Sequence, residues 1–382
     1  MKVHRAHKIE LKPNNAQAKF LARSCGTARV GYNTALAIWN KEYEAGNKPT
    51  MYSVKKQLNA VKKEQFPWAY EVSKCCMESA VMDLGKAFKN FFKVKGTKHP
   101  GFHKKGRNDS FTLNNLNFSV LDDSHIRIAK LKTPLHIYEP FRFKEGKLLS
   151  CTISRKADRW FASVCVELEV SEPTKRKPNI VGVDLGIKTL AVLSDGREVA
   201  KVKAHEAKMA RLRQLNKSLA RKQKGSNNWK KTAIKLGRLH MRIANIRKNA
   251  LHKLTSQLVR DYSVVVIEDL NVKGMSKNRH LARSILDAGF GSFRTMLEYK
   301  AKATGTIIGI ADRFYPSSKT CSGCGKIHDM PLSKRTMACD CGLTIDRDLN
   351  AAINLRNLAV GRIVSACGQI SSGDSNIVKL SG

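Results

Sequence analysis

Residues 179–196 read NIVGVDLGIKTLAVLSDG and hold two apolar runs, the first of which ends in Asp184. The runs NIVGVD and KTLAVLS predict two β-strands, and the pair Asp195-Gly196 favours a hairpin turn into a third strand, REVAKV. Three antiparallel strands with an acidic residue at the end of the first are typical of the opening of an RNase H-like domain. This stretch therefore predicts an α/β fold for the second half of the chain.

Two further acidic residues end apolar runs far from Asp184 in sequence, Glu268 in YSVVVIEDL and Asp348 in CDCGLTIDRDLNAAINL. Taken singly, Asp184 could cap a turn, Glu268 could form a salt bridge and Asp348 could cap a helix. An ionised carboxylate at the edge of a core costs several kcal/mol unless it is paired or bound to a metal, so three in similar settings favour a divalent-metal site. Magnesium prefers oxygen ligands, and two ions about 3.5–4 Å apart could hydrolyse a phosphodiester.

Four of the ten cysteines form two close pairs, Cys321-x-x-Cys324 and Cys339-x-Cys341. Thiolate pairs on tight turns present four tetrahedral ligands to zinc, and a closed site of this kind is structural rather than catalytic. Buried thiols or two disulfides are the alternative, which we disfavour because clustered cysteines in a chain without an export signal more often bind metal. The remaining cysteines lack such grouping and are interpreted as ordinary thiols: Cys25, Cys75, Cys76, Cys151, Cys165 and Cys367.

The chain carries 70 Lys and Arg residues against 31 acidic residues, a net charge of +39. Such an excess implies a polyanionic partner, either nucleic acid or an anionic membrane surface. We favour nucleic acid, because no apolar run of about 18 residues is present and the start MKVHRAHKIELK lacks the apolar segment of a signal peptide. We therefore expect a cytoplasmic protein with no membrane partner.

The densest basic segment, residues 201–255, has 17 Lys and Arg residues and one acid, Glu206. Apolar residues recur at helical spacing on both sides of a turn at 225–228, which predicts an antiparallel helical hairpin over 203–260. A solvated helix face normally mixes charge signs to avoid repulsion. This one-signed hairpin therefore favours contact with a phosphate backbone over solvation alone.

The first half of the chain changes its pattern twice. Residues 1–12 alternate like a strand, a helical pattern follows from about Asn15 to Phe92, and residues 110–170 return to alternation. The simplest account is a β-barrel or sandwich with a helical insertion. The segment 171–179, SEPTKRKPN, is predicted to be a linker between domains.

Beyond the basic hairpin, the sequence predicts a strand at Val264–Ile267, a helix over 277–303, a strand at Thr306–Ala311 and a helix from Asp346 to Leu358. The Ser- and Gly-rich tail from about Gly361 gives no firm signal. Some aromatic residues beside basic segments could stack on bases, although packing in a core is at least as good an interpretation for each: Phe102, Phe111, Trp229 and Tyr315.

The order and spacing of several motifs resemble TnpB, the compact RNA-guided DNA nuclease of bacterial and archaeal insertion sequences, which is related to the type V CRISPR effectors. The resemblance covers nearly the whole chain, and the C-x-C cysteine pair is its one departure. The matching segments are KHPGFHKKGRNDSF, GVDLGIKTLAVLSDG, NALHKLTSQLVRDYSVVVIEDLNVKGM, HLARSILDAGFGSF, FYPSSKTCSGCG and CDCGLTIDRDLNAAINL.

The resemblance implies that Asp184, Glu268 and Asp348 are catalytic acids that bind magnesium or manganese. The third is assigned to Asp348 rather than Asp346, because in related effectors the ligand stands two residues before the Asn of a D-x-N element, here Asn350. The implied partners are a guide RNA from the transposon end and target double-stranded DNA, in a prokaryotic, nucleoid-associated setting. Cys321, Cys324, Cys339 and Cys341 would hold the zinc.

The implied architecture is a RuvC-type, RNase H-like nuclease domain with an inserted zinc ribbon, preceded by a wedge β-barrel that carries a helical recognition insertion. The expected boundaries are 1–12 and 106–172 for the barrel, 13–105 for the insertion, 178–312 and 343–360 for the nuclease domain, 313–342 for the ribbon and 361–382 for a tail.

Two other functions remain open at this point. Some relatives have lost catalytic acids and act as RNA-guided repressors without cleavage, but this chain keeps all three matching positions. A guide-free, structure-specific nuclease resembling the Holliday-junction resolvases would need neither the large N-terminal half nor the basic hairpin. The sequence leaves the oligomeric state undecided.

Overall fold

A computed structural model describes residues 1–173, 177–331, 333–366 and 376–380. The chain forms two compact units, Met1–Ser171 and Glu172–Gly382. Part of the predicted linker, Cys367 and residues 368–375 of the predicted tail lie outside the described residues.

The first unit places a helical segment between its first strand and the others. Its helices and strands are β1 (Lys2–Leu11), α1 (Asn15–Glu44), α2 (Met51–Gln65), α3 (Cys75–Lys93), β2 (Ser110–Asn114), β3 (Phe118–Val120), β4 (His125–Ile128), β5 (Leu135–His136), β6 (Lys147–Lys156) and β7 (Arg159–Glu169).

Strand β1 returns to the late strands of this unit, as the alternation in the sequence predicts. It pairs with β7 in antiparallel register from Lys2↔Glu169 to Leu11↔Trp160. The strands form a four-stranded sheet in the order β1-β7-β6-β2 and a three-stranded sheet in the order β3-β4-β5, with an isolated bridge between Leu11 and Ile137. Both sheets and the helices share one apolar core.

The second unit is an α/β structure. Its helices and strands are β8 (Ile180–Asp184), β9 (Thr189–Leu193), β10 (Glu198–Ala200), α4 (Met209–Ala220), α5 (Asn227–Asp261), β11 (Val264–Glu268), α6 (Val272–Met275), α7 (Ala282–Ala288), α8 (Phe290–Thr304), β12 (Ile307–Ala311), β13 (Thr336–Ala338), β14 (Thr344–Asp346), α9 (Arg347–Ala366) and β15 (Ile377–Leu380).

Six of these strands form one sheet in the order β10-β9-β8-β11-β12-β15. The predicted antiparallel trio β8, β9 and β10 is present, and β11 then runs parallel to both β8 and β12. The central strands β8, β11 and β12 are apolar except for the acids that end β8 and β11, because these strands are buried on both faces. Parallel neighbours bring their carboxyl ends to one edge, and this edge receives both Asp184 and Glu268.

The single helix predicted over 277–303 is wrong. Two helices, α7 and α8, meet at Gly289, whose backbone is left-handed at φ +74°. A left-handed residue ends a helix, and glycine adopts this conformation without steric cost.

The predicted tail also contains structure that the sequence pattern did not indicate. Helix α9 continues to Ala366, and β15 joins the sheet beside β12, with Ile308 opposite Ile377. Four residues are too short to display a period, so only pairing with β12 identifies this strand.

Candidate active site and metal centre

Asp184 and Glu268 end two neighbouring parallel strands. Val183 of β8 is in register with Ile267 of β11, so the two acids follow side by side at the same edge of the sheet. Both side chains are partly buried. The sheet therefore brings together two residues that are 84 positions apart.

Helix α9 brings the third acid to this edge because Gly182 lets the helix backbone approach β8. A Cβ atom at Gly182 would lie 2.0 Å from the carbonyl oxygen of Ala352 and 2.6 Å from the amide nitrogen of Arg356. Asp348 stands one helical turn before Ala352, in the first turn of α9. The close approach at Gly182 thus fixes where Asp348 meets the strand ends.

Asp346, rather than Asp348, caps α9. Its Oδ1 accepts hydrogen bonds from the amides of Asp348 and Leu349, at 2.8 and 3.1 Å. The helix-capping role that the sequence left open for Asp348 therefore falls to the aspartate two residues earlier. The Asp348 carboxylate instead lies near Arg335 and Arg347, at 3.8 and 3.4 Å.

The charges of Glu268 and Asp348 act on Asp184. The pKa of Asp184 rises to about 8 because burial disfavours the charged form and because Glu268 and Asp348 repel it, while Arg347 opposes the shift. A carboxyl whose pKa is raised partly by neighbouring carboxylates fits a divalent-cation site, because the ion would relieve the repulsion. The acids form a looser set than the cysteines do. Among the described residues, the four cysteines are the only group of possible metal ligands whose ligand atoms all lie within 4.8 Å of one another.

Contacts around the acids involve residues that the sequence reasoning missed. Ser317 is buried and its hydroxyl donates a 2.6 Å hydrogen bond to Oε1 of Glu268. Asp269, next to Glu268, binds Arg294 and Arg313 instead of facing the other acids, and these bonds lower its pKa. The run Pro316-Ser317-Ser318, shortly before Cys321, was the sequence signal that could have pointed to Ser317.

The four predicted cysteines come together, with Cys339 and Cys341 in the turn that joins β13 to β14 and Cys321 and Cys324 in the segment before β13. The Sγ atoms of Cys321 and Cys341 are 3.7 Å apart, and those of Cys324 and Cys339 are 3.5 Å apart. Zinc with Zn–S distances of about 2.3 Å spaces tetrahedral sulfurs by roughly 3.8 Å, whereas a disulfide needs about 2.05 Å. The cluster therefore fits a tetrahedral metal and excludes the two-disulfide alternative in this structure.

The basic hairpin consists of α4 and α5, and a groove runs between them. We call it the cationic groove. It comprises two neighbouring cavities of about 350 and 510 Å³ that share Arg211, Leu215 and Lys235. Of the residues that the structure describes, no acid lines either cavity, and the cations that do are Lys208, Arg211, Lys222, Lys231, Lys235, Arg238 and Arg242. Glu206, the one acid of this segment, lies outside the lining and pairs with Lys203.

The four aromatic candidates for base stacking differ in exposure. Phe111 is 3% exposed and belongs to the core of the first unit, so the packing interpretation holds for it. Phe102 is exposed, and Trp229 and Tyr315 are half-buried. Among the described residues, no helix has the length and apolar character needed to cross a membrane.

Comparison with solved structures identifies the class of fold. The cryo-EM structure of a Cas12f1–sgRNA–target DNA complex matches with a TM-score of 0.54 and 15% sequence identity, over 90% of this chain and 83% of that chain. Together with the cysteine cluster, this similarity defines the compact fold of the TnpB and Cas12 nucleases.

Sequence comparison then gives the family. Family models match for a helix-turn-helix domain at 1–48, a "Probable transposase" of the OrfB/IS605 type at 163–279 and a Cas12f1-like TNB domain at 290–355. A "Putative RNA-guided DNA endonuclease" of Streptomyces pristinaespiralis is 36% identical over 96% of this chain and 91% of its own length. The "Putative RNA-guided DNA endonuclease InsQ" of Escherichia coli K12 is 34% identical over 97% and 95%. The chain belongs to the TnpB family.

Proposed function

We propose that this chain is the RNA-guided DNA endonuclease of an insertion sequence and that Asp184, Glu268 and Asp348 are its catalytic acids. The observation that carries the proposal is the meeting of these carboxylates at one edge of the sheet, where they raise the pKa of Asp184. The names of the curated relatives support the same activity.

The order of the sheet supports a RuvC-type, RNase H-like assignment for the second unit. The three acids would hold magnesium or manganese, which supplies an activated water and stabilises the leaving oxygen in a two-metal hydrolysis. Cys321, Cys324, Cys339 and Cys341 would hold one structural zinc. Burial acts to raise the pKa of the Cys321 thiol, but the backbone amides of Cys324 and Gly323 and the side chains of Cys339 and Cys341 outweigh it and bring this pKa to about 7.

The partners in this proposal are a guide RNA from the transposon end and target double-stranded DNA. Base pairing with the guide would read the target sequence, while the protein recognises the shape of the heteroduplex and a short flanking motif. The cationic groove offers phosphate contacts for one of these strands, because its lining carries positive charge and no acid.

The test begins with the RNA that co-purifies with the protein. Sequencing this RNA identifies the guide, and a matching DNA duplex then serves as the cleavage substrate in magnesium. Asp184→Ala, Glu268→Gln and Asp348→Ala should each lower the cleavage rate about a thousandfold or more with target binding retained, because each removes transition-state charge stabilisation. Glu198→Gln, an exposed acid on β10 of the same sheet, is the matched control and should cut like the parent.

Three outcomes would contradict the proposal at different points. An Asp184→Ala protein that cuts as fast as the parent removes the assigned site. A parent that binds its target but does not cut it with any divalent ion is a guided repressor. Cleavage that survives RNase treatment and ignores the target sequence indicates a guide-free nuclease.

A further inference from the structure

The side chain of Glu268 is held by a residue outside the carboxylate set. Ser317 follows β12 and precedes the first cysteine, and it is 3% exposed. Its hydroxyl donates to Oε1 of Glu268 at 2.6 Å. Hydrogen bonds to an ionised acceptor are shorter and stronger than neutral ones, so this contact fixes the orientation of a proposed ligand.

Ser317 is in turn held by Asn354 of α9. The Asn354 side-chain amide donates to the carbonyl oxygens of Ser317 and Thr320, at 2.8 and 2.6 Å. Asn354 is only 4% exposed. A buried amide that donates to two carbonyls is costly to lose, because the carbonyl of buried Ser317 would be left without this donor. The backbone that carries the Ser317 hydroxyl is therefore anchored to the helix.

Asn350, one turn earlier on α9, anchors the cysteine end of the same loop. Its Oδ1 accepts from the amide of Ser322 at 2.9 Å, and its Nδ2 donates to the carbonyl of Thr320 at 2.7 Å. Asn350 is fully buried. Residues four apart lie on one face of a helix, so Asn350 and Asn354 bind the loop 317–322 from a single face of α9, whose first turn carries Asp348.

We propose that Ser317 is a positioning residue for Glu268 and that Asn350 and Asn354 join the cysteine-bearing loop to the carboxylate centre as one hydrogen-bonded unit. The proposal rests on the proposed function, since it assigns Glu268 as a metal ligand. Outer partners of metal ligands typically change metal affinity or activity about 10–100-fold when they are removed. Loss of the Ser317 hydroxyl should therefore weaken divalent-cation binding while leaving the fold and target binding intact.

The experiment compares Ser317→Ala with Ser317→Thr, which keeps a hydroxyl, and with Ser318→Ala, the neighbouring serine that is half-buried. Each variant is purified as the complete guide complex. The measurements are the Mn²⁺ concentration that half-saturates cleavage, the bound Mn²⁺ seen by electron paramagnetic resonance with the Asp184→Ala complex as baseline, target binding and the melting temperature.

For Ser317→Ala we expect at least a tenfold higher half-saturating Mn²⁺ concentration and a matching loss of bound Mn²⁺, with parental target binding and melting temperature. Ser317→Thr and Ser318→Ala should stay close to the parent. A Ser317→Ala complex with parental Mn²⁺ dependence overturns the positioning role. So does equal weakening in Ser317→Ala and Ser317→Thr together with a lower melting temperature, since that pattern indicates a packing role.

The experiment separates a failure of the proposed function from a failure of the positioning role of Ser317. A parent complex that neither binds Mn²⁺ above the Asp184→Ala baseline nor cuts its target overturns the proposed function itself, and the positioning role with it. A parent that does both, beside an unaltered Ser317→Ala variant, overturns the positioning role alone.

Discussion

Asp184 shows how a functional requirement conflicts with stability within one residue. The pKa of this carboxyl is raised to about 8 by burial and by repulsion from Glu268 and Asp348. The folded protein therefore binds the proton more tightly than the unfolded chain does. Its destabilising effect is absent below about pH 4 and grows as the pH rises toward the folded-state value of about 8.

We expect Asp184→Asn to stabilise the fold at pH 8 by about 1–3 kcal/mol and to have little effect near pH 4, because the amide carries no charge at either pH. Thermal melts with a chelator present would measure the difference. Asp195→Asn is the control of opposite sign, because bonds from Tyr262 and Arg197 lower the pKa of Asp195 against the effect of burial, so its loss should destabilise at pH 8. A gain for Asp184→Asn that is equal at both pH values would contradict this account.

At the scale of elements, the candidate site depends on how α9 lies across β8. The strand presents Gly182 to the helix backbone, and the helix presents Asp348 from its first turn. Asp346 fixes the start of that helix as its cap. Small displacements of α9 should therefore move one acid relative to the other two.

Gly182→Ala should destabilise the second unit by about 1–3 kcal/mol or more, because its Cβ would lie 2.0 Å from the carbonyl oxygen of Ala352. Cleavage should fall more than target binding does, since Asp348 shifts with the helix. Gly291→Ala is the matched control, as no atom lies within 4 Å of its added Cβ and its site is helical. Denaturant melts and cleavage rates test both, and parental cleavage by Gly182→Ala would show that the close approach does not set the site.

At the scale of the whole molecule, one helical hairpin carries much of the excess positive charge. The cationic groove concentrates seven of these cations, and its lining also includes the apolar residues Leu215 and Leu239. Mutual repulsion among such cations costs stability unless a polyanion neutralises them. A nucleic-acid strand would supply that neutralisation, and its binding would then depend on salt.

Replacing Lys231 and Lys235 together with glutamine should weaken guide-RNA binding and reduce the slope of log affinity against log salt by about 1–2. Arginine at both positions keeps the charge and serves as the control. Filter binding across a salt series measures both quantities. An unchanged slope in the glutamine variant would mean that these lysines contact no RNA phosphate, and the same series on target DNA would then show whether DNA uses the groove.

The sequence by itself determined the local features of this protein. Alternation predicted β1 and its return to the late strands, the Asp-Gly pair predicted the β9–β10 hairpin, and cysteine spacing predicted the cluster that the structure brings together. Each signal is carried by residues close together in sequence, although the pairing of β1 with β7 joins residues that are far apart. The family resemblance added the choice of acids.

Only the tertiary structure decided what depends on distant partners. It recruited β15 to the sheet beside β12 and brought Ser317 to Glu268. Neither of these outcomes has a period or a spacing in the sequence. Each follows from register and packing between segments far apart in the chain, because a side chain's partner is chosen by the surface that folding places against it.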